Sequence, residues 1–253
     1  MKIVGIDTSG PAASCAVLAD GMVAELVAMN RGLTHSETIM PALDQVMSAA
    51  GLTCGQVDCF AAVAGPGSFT GVRIGVCAAK GLAHAWNKSC ARIDALEALA
   101  MNYQGFDGLA CPILDARRNQ VYCAAFDMKN GLPERALPDG AMEIGAFLEL
   151  LPKNRRLVFL GDGLRVHAEK IRAALPEAVI APANLRDLRA DAACLLAAAR
   201  PEEWMDPAAL TPIYLRRPQA EREREKRLTE EATEGGPLGP TSPEDSAKRT
   251  AGA

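Results

Sequence analysis

A glycine-rich loop between a predicted strand and a predicted helix is the first place where this chain could do chemistry. The loop reads Gly-Pro-Gly-Ser-Phe-Thr-Gly over residues 65–71. Gly65 and Gly67 accept positive φ angles and let a phosphate or another backbone come close. Neither nucleotide-binding motif fits, because Gly71 is followed by Val72 and not by the lysine of a P-loop. The glycine spacing is also one residue longer than in a dinucleotide-binding fingerprint.

A second candidate lies where the first predicted strand ends, at Asp7, Thr8 and Ser9. Hydroxyl and backbone N–H groups at such a turn are suited to contact with a phosphate or with magnesium. Together with Gly65 and Gly67, these residues would form a vestigial phosphate site. The alternative is a turn whose side chains cap local backbone groups. The sequence leaves both interpretations open.

The histidines do not have the spacing of a metal-binding pair. The chain contains three of them, His35, His84 and His167, and neither H-E-x-x-H nor H-x-x-x-H occurs. His35 falls in the first turn of a predicted helix, where we interpret it as a surface or interface residue and not as a catalytic base. Ser68 lacks both the G-x-S-x-G elbow and a nearby base. We therefore expect no catalytic residue and no metal ligand.

Composition and charge restrict the class of protein. The chain has 253 residues, of which 49% are apolar, so it can bury a large core, and this length favours two domains. A net charge of −4 argues against a protein that grips nucleic acid alone. The eight cysteines form no C-x-x-C pair, which favours small core residues in a reducing compartment. With no leader and no long apolar run, we expect a cytoplasmic protein without membrane contact.

Runs rich in β-branched residues predict an antiparallel meander at the start of the chain. Its strands are predicted over residues 2–7, 13–18 and 22–29, and Asp20-Gly21 is the turn signal between the last two. A fourth strand is predicted over residues 58–64, immediately before the glycine loop.

Two helices are predicted around this fourth strand. The first begins at a capping box formed by Thr34 and Glu37 and ends before Gly51. The second, over residues 69–86, is apolar around nearly its whole circumference, with Arg73 and Lys80 seven residues apart on one face. Periodicity alone does not decide whether it is an ordinary core helix or one that also meets a partner.

The second half of the chain repeats features of the first. Leu114-Asp-Ala116 precedes an apolar strand as Ile6-Asp-Thr8 does, which indicates an internal duplication. From residue 220 the chain becomes charged and rich in Gly, Pro, Ser and Glu, which is typical of disorder. We predict an N-terminal lobe over 1–104, a C-terminal lobe over 105–219 and a disordered tail over 220–253.

Five motifs, in order along the chain, carry a family resemblance. They are Ile6-Asp-Thr-Ser9, Leu33-Thr-His-Ser-Glu37 with Pro41, the block from Gly65 to Gly75, Leu114-Asp-Ala-Arg117 with Val121-Tyr122, and Pro212-Ile-Tyr-Leu-Arg216. With these motifs the chain resembles the TsaB family as far as about Arg217. The resemblance implies an α/β actin-like and Hsp70-like ATPase (ASKHA) fold with two RNase H-like lobes and mixed central sheets.

The resemblance also implies a function. Members of this family are non-catalytic dimerisation subunits that pair with TsaD, the enzyme that transfers threonylcarbamoyl to the adenosine next to the anticodon of tRNA. The two predicted helices would form the interface, through His35, Ser36, Ile39, Met40, Leu43 and Met47 of the first and Val72, Arg73, Val76, Cys77 and Lys80 of the second. TsaE would join through the TsaB–TsaD complex, and tRNA would bind only to that complex. The chain would need no cofactor and would form a homodimer when alone.

A different function stays open on the same fold. An ATP-binding enzyme or nucleotide switch would use Asp7-Thr-Ser9, the glycine loop and Gly161-Asp-Gly163 around the nucleotide. A peptidase is the least favoured hypothesis, because the sequence shows neither a metal-binding pair nor a catalytic triad.

Overall fold

The computed structural model describes residues 1–129 and 131–216. Residues 1–215 form one compact unit. The predicted tail over 220–253 and the end of the predicted C-terminal lobe lie outside the described residues. None of the helices in the described part of the chain combines the length and apolar character that a membrane crossing requires.

The first sheet contains the predicted meander. Its strands are β1 (Lys2–Asp7), β2 (Ala13–Ala19), β3 (Met22–Met29), β4 (Cys59–Gly65) and β5 (Ser89–Asp94), in the spatial order β3-β2-β1-β4-β5. β1, β2 and β3 are antiparallel neighbours, whereas β4 is parallel to β1 and β5 is parallel to β4. Asp20 and Gly21 have φ angles of 50° and 83°, the left-handed conformation of a type I′ hairpin turn. The hairpin prediction is confirmed.

Two long helices cover one face of this sheet. They are α1 (His35–Ala49) and α2 (Phe69–Ala85), and they pack over inward-facing apolar residues of β1, β2 and β4. α1 begins after Thr34 as predicted, but the capping box does not form. The Thr34 hydroxyl donates to the Glu37 carboxylate and accepts no backbone N–H.

The end of α1 is also where the sequence predicts it. Gly51 has a φ of 65°, and the Leu52 N–H donates to the Met47 carbonyl over 2.9 Å. This is a Schellman arrangement, in which a left-handed glycine closes the last turn.

The second sheet has the same strand order as the first. Its strands are β6 (Leu109–Asp115), β7 (Gln120–Asp127), β8 (Glu134–Glu143), β9 (Leu157–Leu160) and β10 (Val179–Ile180), in the order β10-β9-β6-β7-β8. The helices α4 (Ile144–Leu150) and α5 (Leu164–Ala174) follow β8 and β9. The sequence pattern did not predict β8, because this strand is polar, contains Pro138 and Gly140, and has an irregular register against β7.

The internal repeat extends to the loops. Asp7 at the end of β1 accepts the Ser9 N–H over 2.8 Å, and Asp115 at the end of β6 accepts the Arg117 N–H over the same distance. The predicted fold class, an α/β actin-like fold with two mixed RNase H-like sheets, is confirmed by the duplicated strand order.

The described part of the chain contains three further α-helices. These are α3 (Ala95–Ala100), α6 (Ala183–Arg186) and α7 (Ala190–Ala199). α7 packs against β1 and β2 on the face opposite to α1 and α2. A Cβ added to Gly5 would lie 2.3 Å from the Ala190 carbonyl oxygen, and the Ala190 N–H donates to the Ser14 hydroxyl. A helix from the predicted C-terminal lobe therefore covers the first sheet, and the lobe boundary near residue 104 stays a prediction.

Candidate functional site

The glycine loop packs against the backbone of the chain itself. A Cβ added to Gly67 would lie 2.4 Å from the Ser9 carbonyl oxygen, and one added to Gly71 would lie 2.1 Å from that of Thr8. A Cβ on Gly75, one turn further into α2, would lie 2.5 Å from the Thr8 hydroxyl. These glycines therefore let the first turns of α2 approach the β1–β2 loop.

The polar groups of the predicted phosphate site are engaged inside the chain. The Ser68 N–H donates to the Ser9 carbonyl over 2.7 Å, and the Thr8 hydroxyl donates to the Gly71 carbonyl over 2.7 Å. The N–H and hydroxyl of Ser9 both donate to one oxygen of Asp7. Of the two interpretations that the sequence left open, this geometry favours a turn that caps local backbone groups.

The cleft beside this turn is small. It has a volume of about 20 Å³ and is lined in part by the carboxylates of Asp7, Asp162 and Asp187. That volume holds about one water molecule, whereas small-molecule sites in proteins occupy several hundred Å³. Burial raises the pKa of Asp7 to about 6, because the bonds from Ser9 offset only part of the desolvation.

The three histidines occupy different helices. His35, half-buried at the start of α1, has its Nε2 atom 2.9 Å from the Gly10 carbonyl, and so holds the helix to the β1–β2 loop. His84 is exposed near the end of α2, and His167 is buried in α5. Within residues 1–129 and 131–216, no group of three His, Cys, Asp or Glu side chains is arranged to hold a metal ion.

The predicted interface residues of α1 divide into two sets. Ser36 and Met40 are exposed, and Met40 shows 47% of its surface to solvent. Ile39, Leu43 and Met47 are buried against the sheet beneath the helix. These three side chains form the core of the chain and present no surface to a partner.

The predicted residues of α2 divide in the same way. Arg73 and Cys77 are exposed, and Lys80 is half-buried. Val72 and Val76 are buried at 1% and 3% exposure, and they pack with the residues beneath α1. The helix is therefore both a core helix and a surface helix, on different faces.

A segment near the end of the described chain crosses α2. We name residues 206–214 the C-terminal strap. Lys80 donates from Nζ to the carbonyls of Ala208 and Leu210, over 2.9 and 3.3 Å. The Ile213 N–H donates to the Ala64 carbonyl over 2.7 Å. Lys80 therefore holds the strap, and its predicted contact with a partner stays a prediction.

The strap also explains the remaining glycine of the predicted phosphate site. Gly65 has a φ of +114°, and a Cβ at this position would lie 2.6 Å from the Ile213 carbonyl oxygen. Gly65 is therefore required both by its backbone conformation and by the close passage of the strap.

The outward residues of α1 and α2 form a surface with few charges, which we name the α1–α2 face. It consists of Ser36, Glu37, Met40, Pro41, Asp44, Gln45, Ser48 and Ala49 of α1 and Thr70, Arg73, Cys77, Gly81, His84 and Ala85 of α2. Three of these fourteen residues carry a formal charge, since the histidine is counted as neutral. Depletion of charge is the compositional mark of a protein–protein interface core.

A larger cleft lies between the edge strands β5 and β8. It has a volume of about 410 Å³ and is lined by Asp94, Glu97, Arg135, Asp139 and Arg200, among others. Its charges are largely compensated, because Arg135 pairs with both aspartates and Arg200 pairs with Glu97. The sequence pattern does not predict this cleft, since Asp139 belongs to β8, a strand that the pattern does not indicate.

Asp94 is the most perturbed carboxyl in that cleft. Its side chain accepts the Glu97 N–H over 2.8 Å and so caps the start of α3. Burial, together with the neighbouring charge of Asp139, raises the pKa of Asp94 to about 7.

Known proteins resemble this chain in sequence. A family model described as TsaD, tRNA N6-adenosine threonylcarbamoyltransferase, matches residues 21–222. A relative from Bacillus subtilis, the tRNA threonylcarbamoyladenosine biosynthesis protein TsaB, is 36% identical over 224 residues, which cover 87% of this chain and 96% of the relative. The Escherichia coli protein of the same name is 32% identical over 136 residues, covering 52% of this chain and 58% of that protein.

A solved structure shows the same fold. It is a Pseudomonas aeruginosa protein described as similar to the peptidase YeaZ, with a TM-score of 0.74 over 85% of this chain and 99% of that one. Its identity of 23% bears on the fold alone. The Bacillus subtilis TsaB protein matches this chain over nearly its full length, at 36% identity. The chain therefore belongs to the TsaB family.

Proposed function

We propose that this chain is a non-catalytic subunit that pairs with TsaD in the biosynthesis of threonylcarbamoyladenosine in tRNA. The observation that carries the proposal is the α1–α2 face, where two long neighbouring helices expose small and uncharged side chains. The name of the Bacillus subtilis relative supports the pathway. The matching TsaD family model supports a kinship between the two partners.

Kinship supports this particular mode of pairing. Two chains that share a fold can join through equivalent helices and form a pseudo-symmetric helical bundle. Without TsaD, the same face of two identical chains is available for self-association. A homodimer in isolation and a heterodimer with TsaD are then two uses of one surface.

A non-catalytic role is supported by the groups around the glycine loop. The Thr8 and Ser9 hydroxyls and the Ser68 N–H donate their hydrogens within the chain, so these donors are not free for a phosphate. The net charge of −4 supports contact with tRNA only within the complex. TsaE would join through the TsaB–TsaD pair, as the family resemblance implies.

The experiment is co-purification of the full chain with TsaD from the same organism, with the complex mass measured by native mass spectrometry. Met40→Glu places a charge on the α1–α2 face, and we expect it to weaken the pairing about tenfold or more, because the carboxylate is desolvated without a partner. The matched control is Val166→Glu, which introduces the same charge at an exposed valine of α5.

We expect Val166→Glu to pair with TsaD as the wild type does. A wild-type chain that does not bind TsaD would refute the proposal. Equal weakening by both variants would show that the added charge acts without regard to the surface, and would remove the assignment to the α1–α2 face. Val76 is unsuitable for this test, because its side chain is buried and a change there would measure folding.

A further inference from the structure

Two aromatic rings and an arginine meet where the C-terminal strap crosses the start of α2. The rings of Phe69 and Tyr214 are stacked, with centroids 5.1 Å apart and an interplanar angle of 28°. The Arg73 guanidinium lies over the Phe69 ring, with its Cζ atom 3.9 Å from the centroid. Its Nε donates to the Tyr214 hydroxyl over 2.8 Å. We name these three residues the arginine platform.

The platform fixes the guanidinium before any partner arrives. Stacking on Phe69 sets the plane of the group, and the bond to Tyr214 sets its rotation in that plane. A long side chain usually loses conformational freedom when it binds, and here much of that freedom is already lost.

The same geometry leaves part of the guanidinium open. Of the three guanidinium nitrogens of Arg73, Nε alone has a hydrogen-bonding partner within the described residues. The residue is exposed, so the N–H groups of its two terminal nitrogens are available to a ligand. Two parallel N–H donors match a carboxylate or a phosphate.

The surroundings favour a carboxylate from a protein. Arg73 stands at i, with Cys77 at i+4 and Gly81 at i+8, so it begins a ridge of small exposed residues on which another helix can lie closely. Arginine and tyrosine are also enriched among the residues that dominate protein interfaces. The net charge of −4 argues against a phosphate backbone as the ligand, because binding to nucleic acid needs clustered Lys and Arg.

We propose that the arginine platform is an anchor of the docking surface, and that it accepts a carboxylate side chain of TsaD. This inference rests on the proposed pairing with TsaD and adds to it one contact and its chemistry. It also gives the strap a role, because Lys80 and Gly65 keep the strap in the position from which Tyr214 reaches Arg73.

The test compares affinities of the full chain for TsaD by calorimetry. Arg73→Gln keeps much of the stem and removes the charge, and we expect a loss of about tenfold or more in affinity. Tyr214→Phe keeps the stacked ring and removes only the hydroxyl, and we expect a loss of about threefold. The matched control is Arg156→Gln, because Arg156 is also exposed and lies over a ring, that of Phe106, in the second half of the chain.

Salt gives a readout that a purely structural role would not change. The affinity of the wild type should fall as salt rises from low to physiological concentration, and that of Arg73→Gln should fall less, because the ion pair is absent. Equal salt dependence in the two proteins would overturn the anchor, as would equal affinity.

The remaining outcomes separate the two proposals. If the wild type fails to bind TsaD, the proposed function fails. If the wild type binds and Arg73→Gln binds equally well, only the anchor fails. Tighter binding by Arg73→Gln would also overturn the anchor. Loss of tRNA binding with unchanged TsaD affinity would overturn it in favour of a phosphate.

Discussion

The two halves of this protein share a strand order but differ in their helices. In the first half, α1 and α2 contain 15 and 17 residues, whereas α4 and α5, which follow the corresponding strands, contain 7 and 11. The loops are closely alike. Gly65 and Gly161, each at the end of a parallel strand, have φ angles of +114° and +107°, and each faces a backbone carbonyl at short range.

The surfaces of the helices differ more than their lengths. The exposed residues of α5 include Arg165, Glu169, Lys170 and Arg172, whereas Arg73 is the single formal charge among those of α2. A charged outer face is typical of a helix that meets water, and a face depleted of charge is typical of one that meets protein. A duplicated scaffold thus carries a helix with a charged outer face in one half and a helix with few outward charges in the other.

The largest expected effect concerns the close approach of α2 to the β1–β2 loop. Gly71→Ala would place a Cβ 2.1 Å from the Thr8 carbonyl oxygen. Backbone would have to move, and we expect the free energy of unfolding to fall by about 3 kcal/mol. Urea unfolding followed by circular dichroism measures this change.

The control lies in the same helix. Gly81 has open space around its Cα, so Gly81→Ala should stabilise the protein by about 0.5–1 kcal/mol through helix propensity. If both alanine variants unfold at the wild-type urea concentration, α2 can separate from the loop at little cost, and the helix does not depend on this contact.

The next effect concerns Asp94, which ends β5, the parallel edge strand of the first sheet. The corresponding edge strand of the second sheet is β10, and it is followed by Ala181, which has no titratable side chain. The folded-state pKa of Asp94, about 7, lies above its ordinary value of 3.8, so the folded protein binds more protons than the unfolded one between these values. Stability from this group is therefore lost as pH rises from about 4 to 7. Asp94→Asn should remove that loss and make the protein more stable than the wild type by about 1–2 kcal/mol at pH 8.

Unfolding measured across this pH range checks the prediction. Asp7, with a pKa of about 6, contributes a decline that wild type and variant share. Asp127→Asn is the control, because the bond from Arg155 holds the pKa of Asp127 below its usual value, so its effect falls at lower pH. A parallel pH profile for wild type and Asp94→Asn would contradict the prediction.

The smallest effect concerns the start of α2. Ser68 accepts the Gly71 N–H through its hydroxyl, whereas Gly163, which precedes α5, offers no side-chain cap. Ser68→Ala should therefore lower the free energy of unfolding by about 1 kcal/mol. Thr34→Ala at the start of α1 should change it by less than about 0.5 kcal/mol, because that hydroxyl caps no backbone group. Thermal unfolding of the two variants checks this prediction. If Ser68→Ala and Thr34→Ala lose the same stability, the hydrogen bond that Ser68 accepts does not add to the stability of α2.

Much of the fold is predictable because its signals are local. The Asp20-Gly21 turn, the end of α1 at Gly51 and the cap at Asp94 each depend on a few neighbouring residues. The capping box at Thr34 was wrong in its chemistry, because a nearby carboxylate competes for the same hydroxyl. The position of the helix was right all the same.

The site was less predictable because its contacts are distant in sequence. Lys80 and Arg73 were placed on one face of α2 correctly, but both bond to a strap more than 120 residues later in the chain. Because apolar residues surround nearly all of α2, the sequence does not indicate which side of the helix faces the sheet. Val76 and Cys77 are therefore both predicted as interface residues, although Val76 is buried and Cys77 is exposed. Asp139 was missed because its strand has no regular alternation.

The packing of α7 against β1 and β2 has a consequence for synthesis on the ribosome. The face of the first sheet that α1 and α2 leave uncovered receives its helix only after residue 199 has been made. Until then, a nascent chain containing the whole first sheet carries an apolar face open to water and to other chains. The first sheet is therefore translated early but completes its packing only when α7 has been made.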